Sequence, residues 1–428
     1  MIHNAKIKGA CEIIAALCLL FSSSILWATE SSHDTKNLIP EFQNVFGRIA
    51  KDEDGALPDY EKLQSIYAQM GGSQQKQTAQ LMSMTDAMFG RYQDAGEHYY
   101  TTFPTGRNPL SCPTSGFTPE PALKGLRRLA IDAHVVLINE SHSMVITRAF
   151  IYQLLPALHS LGFKYLALEA LAPASDVMAK NQSAKVLKDA ALQSRGYPLD
   201  QSSAGFYLRE PIYAELVREA VAEGFTLIAY ETLQAKSRDE REEGQTSALA
   251  RLVASDPEAK VVVIAGYSHI WKTDGWMADR LQKQISGKIL SIDQTSGIFG
   301  CEAPLATNSL KPYILTDARG HGWASMPGRV DVTVLHPKRK DGRAAPSGWL
   351  TLDGRRKGIR PNTADCISAW PCLVSAIYAK EDENAVPADR VLLEGSNDKS
   401  LLFLKPGNYR YEVEPRGHPK ITRELMVH

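Results

Sequence analysis

The sequence predicts an α/β protein: a largely parallel sheet covered on both faces, with a helical segment before it and a small antiparallel β-unit after it. Three observations carry this. Short runs rich in Val, Ile and Leu alternate with segments whose apolar residues recur every three or four positions, as repeated βαβ units require. One phrase is written twice, Gly162-Phe-Lys-Tyr-Leu-Ala-Leu-Glu169 and Gly224-Phe-Thr-Leu-Ile-Ala-Tyr-Glu231: a helix-ending glycine, a strand, and a carboxylate at its carboxyl end. Beyond Leu310 the helical spacing gives way to short β runs, as in the alternating Val330-Asp-Val-Thr-Val-Leu335.

The N-terminal residues read as a secretory signal peptide. Lys6 and Lys8 precede an apolar run from Ile13 to Phe21, then Ser22, Ser23 and Ser24 lead to a cleavage site after Ala28. That run is too short to span a bilayer comfortably, so no transmembrane segment is expected after cleavage and the destination is periplasmic or secreted. In such a compartment the remaining cysteines, Cys112, Cys301, Cys366 and Cys372, imply two disulfides. Three connectivities are open, with Cys366 and Cys372 the most local pair.

Four segments follow from the pattern: 1–28, the signal peptide; 29–120, helices and a linker; 121–312, the α/β core; and 313–428, the β-rich unit. In the second, Leu57, Tyr60, Leu63, Ile66, Tyr67 and Met70 keep helical spacing, Gly71-Gly72 break it, and Thr78 to Met88 resumes it, which predicts a helical hairpin. The core opens with His134-Val-Val-Leu-Ile-Asn-Glu-Ser-His142, a buried strand ending abruptly in polar groups. Ile146, Ala149, Phe150, Leu154, Ala157, Leu158 and Leu161 then line one helix face, and Gly162 stops it. Lys260-Val-Val-Val-Ile-Ala-Gly-Tyr-Ser-His269 and Lys288-Ile-Leu-Ser-Ile-Asp293 are the fourth and fifth strands. Leu171 to Leu208 is longer than an ordinary crossover and is a candidate lid, or else a surface excursion. In the last segment Leu401 to Val413 reads as a hairpin about Pro406-Gly407-Asn408. Lys338-Arg339-Lys340 and Arg355-Arg356-Lys357 read as solvated loop tips.

With 428 residues, 44% of them hydrophobic and 22% charged, the chain has the composition of a globular protein with a substantial core. Lys+Arg 48 against Asp+Glu 48 leaves no net charge to draw it to nucleic acid, so the expected partner is a small molecule or peptide.

Parallel strands open their carboxyl ends on one edge, where ligands of such sheets bind. Glu140, His142, Glu169, Glu231, His269 and Asp293 would converge there. Carboxylates beside imidazoles suit general acid or base catalysis. Glu140, His142 and His269 could equally ligate a divalent ion, zinc or manganese, assembled from separate strands since no His-Glu-x-x-His is present. Tyr267 could approach an axial position on haem iron. Arg241 and Glu242 sit in the run Arg238 to Glu243, a pattern that on its own describes a solvated helix face with internal ion pairs. No Gly-x-Ser-x-Gly supports a serine hydrolase.

Four elements taken together resemble a known superfamily: a strand running into Asn139-Glu140-Ser141-His142, a second ending in Glu169, the motif Arg241-Glu242-Glu243-Gly244-Gln245, and a strand ending in Gly266-Tyr267-Ser268-His269. They are similar to the erythromycin esterases, ChaN-like haem-binding proteins and Tiki-type metalloproteases, over Ala122 to Gly300. The resemblance implies that His142 is a general base or ligand, completed by Glu140 and His269, with Arg241 and Glu242 lining the cleft. Asn139 departs from the pattern, standing where the family has Gly. A hydrolase using Glu140, His142, Glu169 and His269 is the expectation. The alternatives are a haem or metal carrier, drawing on Tyr267, Arg241, Glu242 and Glu231, and an envelope interaction module with a vestigial cleft.

Overall fold

The computed structural model describes residues 37–51, 56–104, 108–175, 183–201, 205–258, 260–302, 311–337 and 348–428. The signal-peptide region and Lys338-Arg339-Lys340 lie outside them.

The N-terminal segment is four helices rather than one hairpin: α1 (Ile39–Lys51), α2 (Ala56–Gln69), α3 (Gly72–Met88) and α4 (Tyr92–Thr102). Helix α3 starts at Gly72, ahead of the expected Thr78, because its opening residues are polar and leave no apolar spacing to read. The buried Asp86 carboxylate holds three of the helices together. It accepts from Tyr60 Oη at 2.6 Å and lies 2.6 Å from His98 Nδ1.

The core continues through β1 (Thr118–Pro121), α5 (Ala122–Leu129), β2 (Val135–Glu140), α6 (Ile146–His159), β3 (Phe163–Leu168), α7 (Leu192–Arg195), α8 (Pro211–Ala222), β4 (Thr226–Ala229), α9 (Arg238–Ser255), β5 (Lys260–Gly266), α10 (Met277–Gln284) and β6 (Ile289–Asp293). Strand β7 (Tyr313–Thr316) returns to pair antiparallel with β1, and β8 (Val332–Thr333) joins the main sheet. That sheet has six strands, all parallel, in the order β4-β3-β5-β2-β6-β8. The five strands read from the sequence are all in it. The sixth lies in the alternating run assigned above to the β-rich unit; a two-residue edge strand is too short to declare its sheet.

Period-two alternation sorts the strand side chains into two layers. Val136 and Ile138 of β2, with Val262 and Ile264 of β5, face a core shared with α6, α8 and the N-terminal helices. Val135, Leu137, Val261, Val263 and Ala265 face the other core, built with α9 and α10. Continuous apolar strands are what burial on both faces demands.

The C-terminal unit holds β9 (Lys357–Ile359), β10 (Cys372–Tyr378), β11 (Asp389–Leu393), β12 (Leu402–Leu404), β13 (Gly407–Pro415) and β14 (Ile421–Val427), with an antiparallel sheet ordered β11-β10-β13-β14. The hairpin expected about Pro406-Gly407-Asn408 does not form. Strand β12 pairs with β9, while β13 pairs with β10 and β14, and the tight turn of this region passes through Gly417, at φ 68. Nor is Arg356 a solvated tip. It is buried, donating to the Phe403 and Ala388 carbonyls, whereas its neighbours Arg355 and Lys357 reach outward, to Glu219 and to the His428 carbonyl. Disulfides join Cys112 to Cys301 and Cys366 to Cys372. No helix among the described residues is long and apolar enough to cross a membrane.

Candidate active site

The strand order creates the site. After β2 the chain crosses to β3 and β4 and only then returns with β5, which fills the gap between β3 and β2. Three neighbouring strand ends therefore carry Glu169, the Gly266–His269 turn and Glu140–His142. Glu140 lies in register with Gly266, and Leu168 with Ile264.

On one side, His142 Nδ1 is 2.5 Å from Glu140 Oε1. The second Glu140 oxygen accepts from Arg148 Nε at 2.8 Å, and Arg148 Nη2 donates to the His142 carbonyl at 3.1 Å. Arg148, on α6, is 1% exposed and also reaches Glu210 at 3.3 Å, while its guanidinium lies 4.6 Å from the Tyr213 ring centroid. Burial would raise the Glu140 carboxyl; Arg148 and His142 overcome it and hold the group below the ordinary carboxylate range. Glu210 caps α8, accepting from Ile212 N and Tyr213 N at 2.8 and 2.9 Å, and there burial wins and raises it. With Nδ1–H committed to Glu140, the imidazole's basic atom is Nε2, which has no hydrogen-bond partner among the described residues.

On the other side Arg241 is the hub. Its Nη2 donates to Glu169 Oε1 and Glu231 Oε2, each at 2.5 Å, its Nε to Glu231 Oε1 at 3.0 Å, and its Nη1 lies 2.8 Å from His269 Nε2. His269 Nδ1 sits 2.9 and 3.0 Å from the two oxygens of Glu242. Burial would lower the His269 pKa; Glu242 more than offsets it and raises the group, against Arg241. Donation from Nδ1 to Glu242 and acceptance at Nε2 from Arg241 let the neutral ring satisfy both contacts. Glu169 is buried, yet His269, Arg241 and His142 bring its carboxyl down to about 2.

Gly266 joins the halves. Its amide donates to Glu169 Oε2, and a Cβ there would stand 2.7 and 2.8 Å from His142 Cε1 and Nε2 and 3.3 Å from Glu169 Oε2. Only glycine permits that approach. Tyr207 stacks on the imidazole at 4.5 Å with an interplanar angle of 19°, and Tyr267 meets it edge-on at 5.1 Å. Tyr267 itself adopts φ 42, an uncommon conformation for a residue with a Cβ, at the turn that redirects the chain from β5 towards His269.

All the expected strand-end residues lie at this edge, but not in one role. Asp293 is spent on structure, accepting from Asn139 Nδ2 at 2.8 Å and Thr295 Oγ1 at 3.1 Å. Asn139 Oδ1 accepts in turn from Gln294 N at 2.8 Å, so this residue ties β2 to the end of β6. The run from Arg238 to Glu243 is split: Arg241 and Glu242 turn inward, while Arg238, Asp239 and Glu240 stay exposed. The expected metal set does not assemble. Glu140 is held by His142 and Arg148, and both His269 nitrogens are engaged. Among the described residues no group of three or more His, Cys, Asp or Glu could hold a metal ion. A guanidinium, Arg241, supplies the positive charge at the centre of the carboxylates instead.

Sequence reasoning missed Arg148, Glu210 and Tyr207. Arg148 gave no signal, because it lies opposite the apolar stripe of α6 and reads as a solvent-facing cation; Glu210 was visible as the acid before Pro211 at a helix start.

No family model matches the chain, and no curated protein matches it. Among solved structures it is similar to the type III effector HopBA1, with 16% identity over 54% of this chain and 100% of that one and a TM-score of 0.32. It is also similar to RRSP, a MARTX toxin effector domain from Vibrio vulnificus CMCP6, with 16% identity over 68% of this chain and 72% of that one and a TM-score of 0.29.

Proposed function

We propose that this chain is an exported hydrolase of the esterase or peptidase type in which His142 is the general base. The observation that carries the reading is the Glu140–His142 pair: Nδ1 fixed by a carboxylate at 2.5 Å, Nε2 left open. A water placed at Nε2 gives up its proton as its oxygen bonds to the substrate carbonyl carbon. The imidazolium that forms is stabilised by Glu140, which Arg148 keeps ionised. When the tetrahedral intermediate collapses, the bond to the leaving oxygen or nitrogen breaks and Nε2 returns the proton to it.

Glu169, Arg241 and His269 form the opposite wall, where Arg241 fixes Glu169 and Glu231 in place and helps keep Glu169 ionised. The resemblance to the erythromycin esterase superfamily supports this division of roles, and the signal-peptide reading with two disulfides supports export.

The test compares wild type with His142→Ala on p-nitrophenyl esters of increasing acyl length and on a fluorogenic peptide mixture. We expect hydrolysis of at least one class to fall by about 10²–10⁴-fold, the usual contribution of a general base. Equal rates for the two proteins on every substrate would overturn the reading.

A further inference from the structure

The Tyr207 hydroxyl is buried and has no hydrogen-bond partner among the described residues, although the ring is stacked on His142. Buried polar groups are nearly always paired, so an orphan beside a reactive group calls for a function. Burial, then the nearby Glu169 and Glu140, raise this phenol's pKa, so it keeps its proton and remains a donor.

The turn that carries it is held on every side. A Cβ on Gly205, at φ 133, would overlap the Ala170 carbonyl oxygen, so only glycine brings this turn against the end of β3. Phe206 packs on Phe46 of α1 at 5.1 Å. Arg209 donates to Asp200 at 2.7 Å and to the Ile49 carbonyl, and Glu210 is locked to Arg148. The end of the long insertion is thus a packed wall of the site, and it fixes the Tyr207 ring against His142 before any ligand arrives.

We infer that Tyr207 Oη donates the hydrogen bond that stabilises the oxyanion of the tetrahedral intermediate formed at His142. This rests on the hydrolase reading above. Five nearby carboxylates, Glu140, Glu169, Glu210, Glu231 and Glu242, face two guanidiniums, Arg148 and Arg241, among the described residues. Both guanidiniums are committed to those carboxylates, so a developing oxyanion is left to a neutral donor such as Tyr207 Oη, and the negative setting disfavours a phosphate ester and suits an uncharged or cationic carbonyl compound.

The experiment uses the full chain with p-nitrophenyl butyrate and compares wild type, Tyr207→Phe, which keeps the stacked ring, and His142→Ala. We expect Tyr207→Phe to lose about 10²-fold or more in kcat, the scale of one oxyanion donor, with KM within about twofold and the thermal midpoint unchanged. Inhibition by a trifluoromethyl ketone, whose hydrate presents the tetrahedral oxygen, should weaken by the same factor, while product inhibition by butyrate stays as it was. If Tyr207→Phe retains kcat, or loses only KM or thermal stability, while His142→Ala is inactive, the donor role is wrong and the hydrolase stands. If hydrolysis does not depend on His142, both fall together.

Discussion

His142 and His269 look alike in the sequence, each a histidine just past a parallel strand with acids nearby, and they are almost equally buried, at 6% and 7% exposure. Their nitrogens are used differently. His142 has Nδ1 engaged by Glu140 and Nε2 open, whereas His269 has both engaged, Nδ1 by Glu242 and Nε2 by Arg241. The difference teaches that a strand-end histidine can serve as a base only where its second nitrogen is left unpaired; with both engaged, it holds the structure around it.

The supporting arginines sharpen this contrast, and they give the largest effect. Arg148 is almost wholly buried between Glu140 and Glu210, whereas the side chain of Arg241 is 13% exposed. We expect Arg148→Met to cost about 3–5 kcal/mol in urea denaturation, because two buried carboxylates lose their cation. Arg241→Met, with water closer at hand, should cost roughly 1–3 kcal/mol. Equal losses would mean that the two halves are not built differently.

Acid should act next, through Glu169. Its folded carboxyl titrates at about 2 against an ordinary 4.5. A depressed carboxylate contributes stability that is present above the unfolded value and is lost as pH falls through the folded one. The thermal midpoint of wild type should therefore drop between about pH 4.5 and 2, and Glu169→Gln should flatten that limb. An unchanged limb in the variant would place the acid sensitivity elsewhere.

Much of this arrangement was legible in the chain. Doubly buried strands wrote continuous apolar runs, and parallel topology then brought Glu140, His142, Glu169, Glu231 and His269 to one edge. The division of labour was not legible, because it depends on partners distant in sequence. Arg148 is silent until α6 packs beside β2, and Tyr207 until Gly205 lets its turn close on Ala170. The donors expected for a metal are not grouped among the described residues for the same reason: sequence supplies donor types, while the structure decides where they meet. Strand β8 and the misplaced hairpin were lost to short β runs, whose pairing is fixed by tertiary contacts rather than by local pattern.

The most direct measurement is carbethoxylation of the full chain by diethyl pyrocarbonate at neutral pH, followed by peptide mapping of each histidine. The reagent needs an open imidazole lone pair, and the two residues are nearly equally buried. We expect His142 to be modified at Nε2, with loss of ester hydrolysis in step, while His269 stays unmodified. Modification of His269 as fast as His142, or an inert His142, would contradict the assignment of His142 as the base and His269 as a structural residue.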